Sequence, residues 1–348
     1  KPISDLAREL GMREDDIVKL ASNENPLGAS PKALAAIQAA LGDLAMYPDG
    51  GGFALKAAIS AKYSVQPAQI ILGNGSNDIL ELAARTFMKS GDSAVYSQHA
   101  FAVYPLATQA VGATGIEVPA KNFGNDLSAI LSAIRADTKM IFLANPNNPT
   151  GTFTPGAELR AFVKQVPAKV LVVLDEAYGE YLNDADVYDS VPWLADFPNV
   201  IISHTLSKAY GLAGLRIGFG LAHPQLIDLM NRVRQPFNVN HLAMVAAVAA
   251  LGDDDFIRES RRANDAGLSL LKAEFAKRGL ATIPAYGNFI TFKIDNAKRV
   301  FESLLKQGVI VRPIAGYGLP DYLRVTIGTE AQNRRFIAAL DNAMKQAE

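Results

Sequence analysis

A mostly parallel α/β sheet with helices on both faces, followed by a smaller α+β domain, is the fold this sequence predicts. Three observations carry it. Seven short apolar runs, at residues 70–72, 93–97, 115–118, 140–144, 170–174, 200–203 and 216–221, alternate with helical patterns at 77–89, 102–111, 127–134 and 158–165. Runs that are apolar throughout mark strands buried on both faces, and their alternation with helices implies a mainly parallel sheet. After Pro236 the texture changes to a long helical region from His241 to about Arg278, then strands near 288–294, 309–312 and 322–327, with helices at 298–307 and 330–346. A chain of 348 residues has room for about two domains. The expected division is an amino-terminal arm over 1–30 that packs with the small domain, a large domain over 31–238 and a small domain over 239–348.

Composition removes several classes of function. The chain balances 34 Lys+Arg against 35 Asp+Glu, which argues against a general attraction to nucleic acid or an anionic membrane. No apolar run approaches the ~18 residues of a membrane-spanning helix. With 0 cysteines there is no disulfide framework, thiolate nucleophile or cysteine-ligated metal, and a cytoplasmic setting is expected. His99, His204, His223 and His241 lack metal-ligand spacing, so no metal is expected. Gly75-Ser76-Asn77 is not a nucleophile elbow, because Asn77 stands where glycine is needed.

Four segments carry candidate chemistry, and each falls after a strand, where open α/β sheets bind ligands. Gly73-Asn74-Gly75-Ser76-Asn77-Asp78 joins a strand to a helix. It is a broken dinucleotide fingerprint, yet backbone N–H groups opening a helix still suit a phosphate. Asn145-Pro146-Asn147-Asn148-Pro149-Thr150-Gly151 makes a rigid turn that would hold Asn148 for one directional hydrogen bond. Val170 to Leu174 is a buried strand ending in Asp175, an acid that is costly there unless paired. Its structural alternative is a cap or ion pair; its functional one is a carboxylate that keeps a pyridine nitrogen protonated, with Tyr178 reaching a ring substituent. Thr205-Leu206-Ser207-Lys208-Ala209-Tyr210-Gly211-Leu212-Ala213-Gly214-Leu215-Arg216 offers either a surface lysine in a glycine-rich loop or a Schiff-base lysine beside a phosphate-binding arginine.

In their order and spacing these segments resemble the fold-type-I pyridoxal-phosphate enzymes, over essentially the whole chain. The run from Thr205 to Gly214 is similar to the lysine signature of class II aminotransferases. Asn23-Glu24-Asn25-Pro26, Tyr47-Pro48, the Gly73, Asn145 and Asp175 segments and Tyr322-Leu323-Arg324-Val325-Thr326-Ile327-Gly328 are similar to histidinol-phosphate aminotransferases.

The resemblance implies pyridoxal 5′-phosphate as cofactor and a role for each matching residue. Lys208 would be the Schiff-base lysine and proton shuttle. Asp175 would pair with the ring nitrogen, and Asn148 and Tyr178 with the 3′-oxygen. Phe101 stands where the family usually stacks a tyrosine on the ring. Ser76, Asn77, Thr205, Ser207 and Arg216 would hold the cofactor phosphate, joined by Tyr47 from the neighbouring subunit of a homodimer. Arg324 would clamp the substrate carboxylate and Arg312 a substrate phosphate, with Asn23 also on the substrate side. The family's amino-terminal substrate tyrosine has no counterpart before Tyr47; the chain opens at Lys1-Pro2 without an initiator methionine, so that residue was either trimmed or is absent.

The activity implied is ping-pong transamination between L-histidinol phosphate or imidazole-acetol phosphate and glutamate or 2-oxoglutarate, in histidine biosynthesis. Partners would be a small-molecule amino donor and keto acceptor, with no nucleic acid or membrane. An aromatic-amino-acid aminotransferase and a threonine-phosphate decarboxylase are the alternatives on the same scaffold. A non-catalytic binding protein of this fold is the alternative of another class.

Overall fold

The computed structural model describes residues 2–347. After a two-residue strand β1 (Val18–Lys19) come β2 (Ile70–Gly73), β3 (Ser93–Ser97), β4 (Thr114–Val118) and β5 (Thr138–Ala144). Then follow β6 (Leu171–Asp175), β7 (Val200–Thr205) and β8 (Gly218–Ala222). These last seven form one sheet in the order β2-β8-β7-β6-β5-β3-β4, parallel except for β8, which runs antiparallel to both neighbours. All seven coincide with the apolar runs of the sequence. The last is shorter than expected: Arg216 lies outside β8 with a left-handed φ of 57°.

Every residue of β6 is buried because both faces of the sheet are covered. Val172 and Leu174 join one hydrophobic cluster with Ile202, Phe162 and Ala247, while Val173 joins another with Ile201, Phe142 and Leu80. Helices therefore flank the sheet on both sides, among them Gly156–Gln165 on the first and Ser76–Phe87 on the second.

The long helical region after Pro236 is two helices, His241–Leu251 and Asp254–Lys277. Asp253 separates them by accepting a hydrogen bond from the Phe256 N–H, an N-cap that starts the second helix. The first helix carries Ala243, Ala246 and Ala250 into the large-sheet core against Pro31–Ala40. The packing of the large sheet thus extends past the expected 238/239 boundary.

The remaining strands are β9 (Phe289–Lys293), β10 (Val309–Ile310), β11 (Arg312–Pro313) and β12 (Tyr322–Thr326). β11, β12 and β9 form an antiparallel sheet, and β10 pairs with β1. Val18 and Leu20 of the amino-terminal arm pack in the same cluster as Phe275, Phe292 and Phe336. No helix among the described residues is long and apolar enough to cross a membrane.

Candidate active site

Strand register brings the four chemical segments together. Ala144 pairs with Asp175, Asp175 with Ser203, Thr205 with Gly218, and Gly218 with Gly73. The carboxyl ends of β2, β5, β6 and β7 and the amino end of the reversed β8 therefore share one edge, and the segments beyond them converge. A cavity of about 250 Å³ lies there, lined by Ser76, Asn77, Phe101, Asn148, Asp175, Tyr178, Thr205, Ser207, Lys208 and Arg216. Ten of the predicted residues thus meet in one place.

A larger cavity of about 910 Å³, lined by Glu176, Glu180 and His204, holds none of them. The smaller cavity is the candidate site, because the groups that can do chemistry converge on it. No cluster suited to a metal ion occurs among the described residues.

Lys208 is partly buried, and its Nζ donates to the Ser22 carbonyl at 3.0 Å. Burial, with help from the positive charge of Arg324, lowers its pKa to about 8. Asp175 is buried at the end of β6, and its Oδ2 accepts a hydrogen bond from the Tyr104 hydroxyl at 2.7 Å. Its Oδ1 is buried with no hydrogen-bond partner among the described residues. Burial raises the carboxyl's pKa, and the bond from Tyr104 opposes that rise. An orphaned carboxylate oxygen beside a cavity is a place for a ligand's N–H or O–H.

The Asn145–Gly151 turn is locked from within. Asn145 exchanges two hydrogen bonds with the Thr154 backbone, and Asn147 donates to the His99 carbonyl at 3.0 Å. Asn148 is left facing the cavity, with its Oδ1 accepting from Arg324 Nη1 at 2.5 Å. That bond turns the Asn148 amide nitrogen, a donor, away from Arg324. Arg324 also donates to the Ala21 carbonyl at 2.7 Å, and its buried Nε has no partner. Arg312 stands directly opposite Arg324 across β11 and β12, exposed.

At the other end, Ser76 and Asn77 open the helix Ser76–Phe87. Gly75 has a φ of 83°, and a Cβ there would stand 2.6 Å from Arg216 Nη2; one on Gly218 would stand 2.6 Å from the Ser76 backbone nitrogen. The two glycines keep open a cradle of helix N–H groups and guanidinium, an anion site by geometry and charge.

Four predicted residues do not line the cavity: Arg324 reaches it only through its bond to Asn148, and three others lie elsewhere. Tyr47 is 82% exposed and stacks on Phe237 with ring centroids 4.8 Å apart, away from its own chain's cavity. Arg312 does not line the cavity. Asn23, expected on the substrate side, is fully buried: its Nδ2 donates to the Tyr178 hydroxyl and its Oδ1 accepts from Thr326. Both ends of its amide are engaged inside the protein, and it does not line the cavity.

Among the lining residues that were not anticipated, two carry titratable side chains, Tyr104 and Glu24. Glu24 sits inside the Asn23–Pro26 motif, which was the available signal. Tyr104 had none, since a tyrosine in an apolar helical pattern reads as core.

Against known proteins, residues 15–340 match the family model for "Aminotransferase class I and II". The chain belongs to that family of aminotransferases. It is 57% identical to histidinol-phosphate aminotransferase 2 of Nitrosospira multiformis, over 100% of this chain and 89% of that one. It is 58% identical to histidinol-phosphate aminotransferase of Methylobacillus flagellatus, over 99% and 94%. The crystal structure of histidinol-phosphate aminotransferase from Sinorhizobium meliloti, in complex with pyridoxal-5′-phosphate, superposes with a TM-score of 0.93 at 29% identity, covering 100% of this chain and 95% of that one. Within the aminotransferases, this chain is a member of the histidinol-phosphate aminotransferase family.

Proposed function

We propose that this chain is a cytoplasmic, pyridoxal-phosphate-dependent aminotransferase that exchanges the amino group between L-histidinol phosphate and 2-oxoglutarate by a ping-pong cycle, in histidine biosynthesis. The observation that carries the reading is the meeting of a lysine of lowered pKa, a buried carboxylate oxygen with no partner and a glycine-lined anion cradle on one cavity. These are the features the cofactor needs: an amine for its carbonyl, an acceptor for its ring N–H and a seat for its phosphate. The residues fit the group.

When bound, pyridoxal phosphate supplies a reactive carbonyl and an electron-withdrawing ring. The chain supplies the rest. Lys208 Nζ, with its pKa near 8, carries a usable fraction of free amine at neutral pH, to act as nucleophile and then to move the proton at the substrate Cα. Asp175 Oδ1 would hold a proton on the ring nitrogen. Asn148 Nδ2 and Tyr178 Oη would hydrogen-bond the 3′-oxygen, and Phe101 would cover a ring face. Thr205, Ser207 and Arg216 join the helix start at Ser76 and Asn77 around the phosphate.

Arg324 presents a fork suited to a carboxylate, and Arg312 adds a second positive charge for a substrate phosphate. Comparing rates across donors tests this. Histidinol phosphate is expected to outperform phenylalanine, and Arg312→Gln to raise KM for histidinol phosphate roughly tenfold or more while leaving glutamate unchanged. Faster turnover of phenylalanine would make this an aromatic aminotransferase. Release of carbon dioxide without an amino acceptor would make it a decarboxylase.

The active unit is a homodimer in which Tyr47 completes the neighbouring site. Residues Leu41, Leu44, Met46, Tyr47 and Phe53 are all exposed, and Phe237 beneath Tyr47 is 46% exposed. A cluster of large apolar side chains in water supports a covering partner.

A further inference from the structure

Asn23 is fully buried and holds a left-handed backbone, with φ at 56°. Its backbone N–H donates to Thr326 Oγ1 at 2.9 Å, and that hydroxyl donates back to Asn23 Oδ1 at 3.1 Å. Buried Thr326 Oγ1 has no other hydrogen-bond partner among the described residues, so its one hydrogen needs this acceptor and the facing end of the amide is the oxygen. The nitrogen end faces Tyr178 and donates to its Oη at 3.0 Å. The phenol's own hydrogen must then point elsewhere. Tyr178 makes no other hydrogen bond through Oη among the described residues, and its remaining open side is the cavity it lines.

We propose that Asn23 is a positioning residue that fixes the polarity of Tyr178, so that the phenol donates into the cavity and does not accept from it. The inference rests on the reading that the cavity holds pyridoxal phosphate with its 3′-oxygen at Tyr178. A phenol that donates stabilises that oxygen as an anion, which one that accepts cannot do. The arrangement also ties the small domain to the large one. Asn23 is held by Thr326 of β12 and by Asn288, whose Nδ2 donates to the Asn23 carbonyl at 2.9 Å, whereas Tyr178 follows β6.

The test is the pH midpoint of the visible absorbance band of pyridoxal-phosphate-loaded protein. The groups facing Tyr178 are Lys208, 5.8 Å from the ring centroid, Arg324 and Asp175, with the phenols of Tyr104 and Tyr181. All are unchanged in the Asn23 variants, so differences among those variants report the amide. Aspartate is nearly isosteric and tolerates the left-handed backbone; glycine adopts it freely.

In Asn23→Asp the carboxylate draws the phenol's hydrogen to itself, and the midpoint rises by about one pH unit. Tyr178→Phe gives the same rise, and combining the two adds nothing further. Asn23→Gly leaves the phenol free to donate and keeps the wild-type midpoint. Thr326→Val unlocks the amide without adding charge and gives a smaller rise in the same direction, which keeps the proposal testable if Asn23→Asp fails to fold. An unshifted Asn23→Asp or Thr326→Val beside a shifted Tyr178→Phe overturns the proposal alone, as does an Asn23→Gly that shifts like Asn23→Asp. An unshifted Tyr178→Phe overturns both the proposal and the role of Tyr178 on which it rests.

Discussion

Tyr104 donates its hydroxyl to Oδ2 of Asp175 at 2.7 Å, and Oδ1 has no hydrogen-bond partner among the described residues. The phenol ring lies stacked on Phe142, with centroids 5.1 Å apart and planes 6° from parallel, so its direction is fixed by packing. The carboxylate is thereby held with one oxygen engaged and the other available.

Tyr104→Phe removes that hydrogen bond and keeps the stack. Burial raises the Asp175 pKa and the Tyr104 bond lowers it, so the variant's carboxyl takes up a proton at higher pH than the wild type's. The expected result is a fall in kcat of about tenfold, with the acidic limb of the pH–rate profile displaced upward and KM for glutamate little changed. Folding stability falls by about 1–3 kcal/mol, the cost of leaving a buried carboxylate oxygen without its donor. A pH–rate profile and a urea titration check the two halves separately.

Lys208 gives a prediction that needs no cofactor. Its folded pKa is about 8, against 10.5 for a lysine in water. Between those values the unfolded chain binds the proton and the folded chain does not, so the unfolded state holds more protons and stability rises with pH. Below pH 8 the burial of the charged form is a full penalty; above 10.5 it is gone. Lys208→Met in the cofactor-free protein is therefore expected to be the more stable form at pH 7, by on the order of 2 kcal/mol, with its advantage shrinking as pH passes from 8 to 10.5. Urea midpoints across that range measure it. An advantage independent of pH would place the amine in water.

Much of this architecture was legible in the sequence. The seven strands of the large sheet are apolar throughout because they are buried on both faces, and that is visible without coordinates. The cofactor-side residues stood at the ends of those strands, where register brings them together. Other features were set by contacts distant in sequence. Tyr104 meets Asp175 across 71 positions, and Asn23 meets Tyr178 across 155 and Thr326 across 303, so no local pattern announces either pairing. The split of the long helix rests on Gly252 ending one helix and Asp253 capping the next, a stop-and-start signal that the sequence does carry.

Gly75→Ala tests the anion cradle. The added Cβ would come within 2.6 Å of Arg216 Nη2 at a backbone φ of 83°, so both the loop and the guanidinium must move. Weakening one charge-assisted hydrogen bond to phosphate costs about 1.5–3 kcal/mol, which predicts pyridoxal-phosphate affinity down about tenfold to a hundredfold. Equilibrium titration of the cofactor measures it. Unchanged affinity would move the phosphate away from this loop.

Tyr47 tests the shared site. Tyr47→Ala and Lys208→Ala homodimers are each expected to be impaired, Lys208→Ala completely. Unfolding and refolding the two together gives hybrid dimers in which one site has both residues intact, and activity returns. A mixture no more active than Tyr47→Ala alone would confine each site to a single chain.

The central claim is that Lys208 binds pyridoxal phosphate covalently at a site that accepts histidinol phosphate. The most direct measurement is the visible absorbance spectrum of pyridoxal-phosphate-loaded wild type and Lys208→Ala, titrated with L-histidinol phosphate, L-glutamate and L-phenylalanine. The account predicts a visible band in wild type that is lost at low histidinol phosphate and also responds to glutamate, and that Lys208→Ala lacks while still holding cofactor. A wild-type band identical to that of Lys208→Ala, or one that responds to phenylalanine but not to histidinol phosphate, would contradict it.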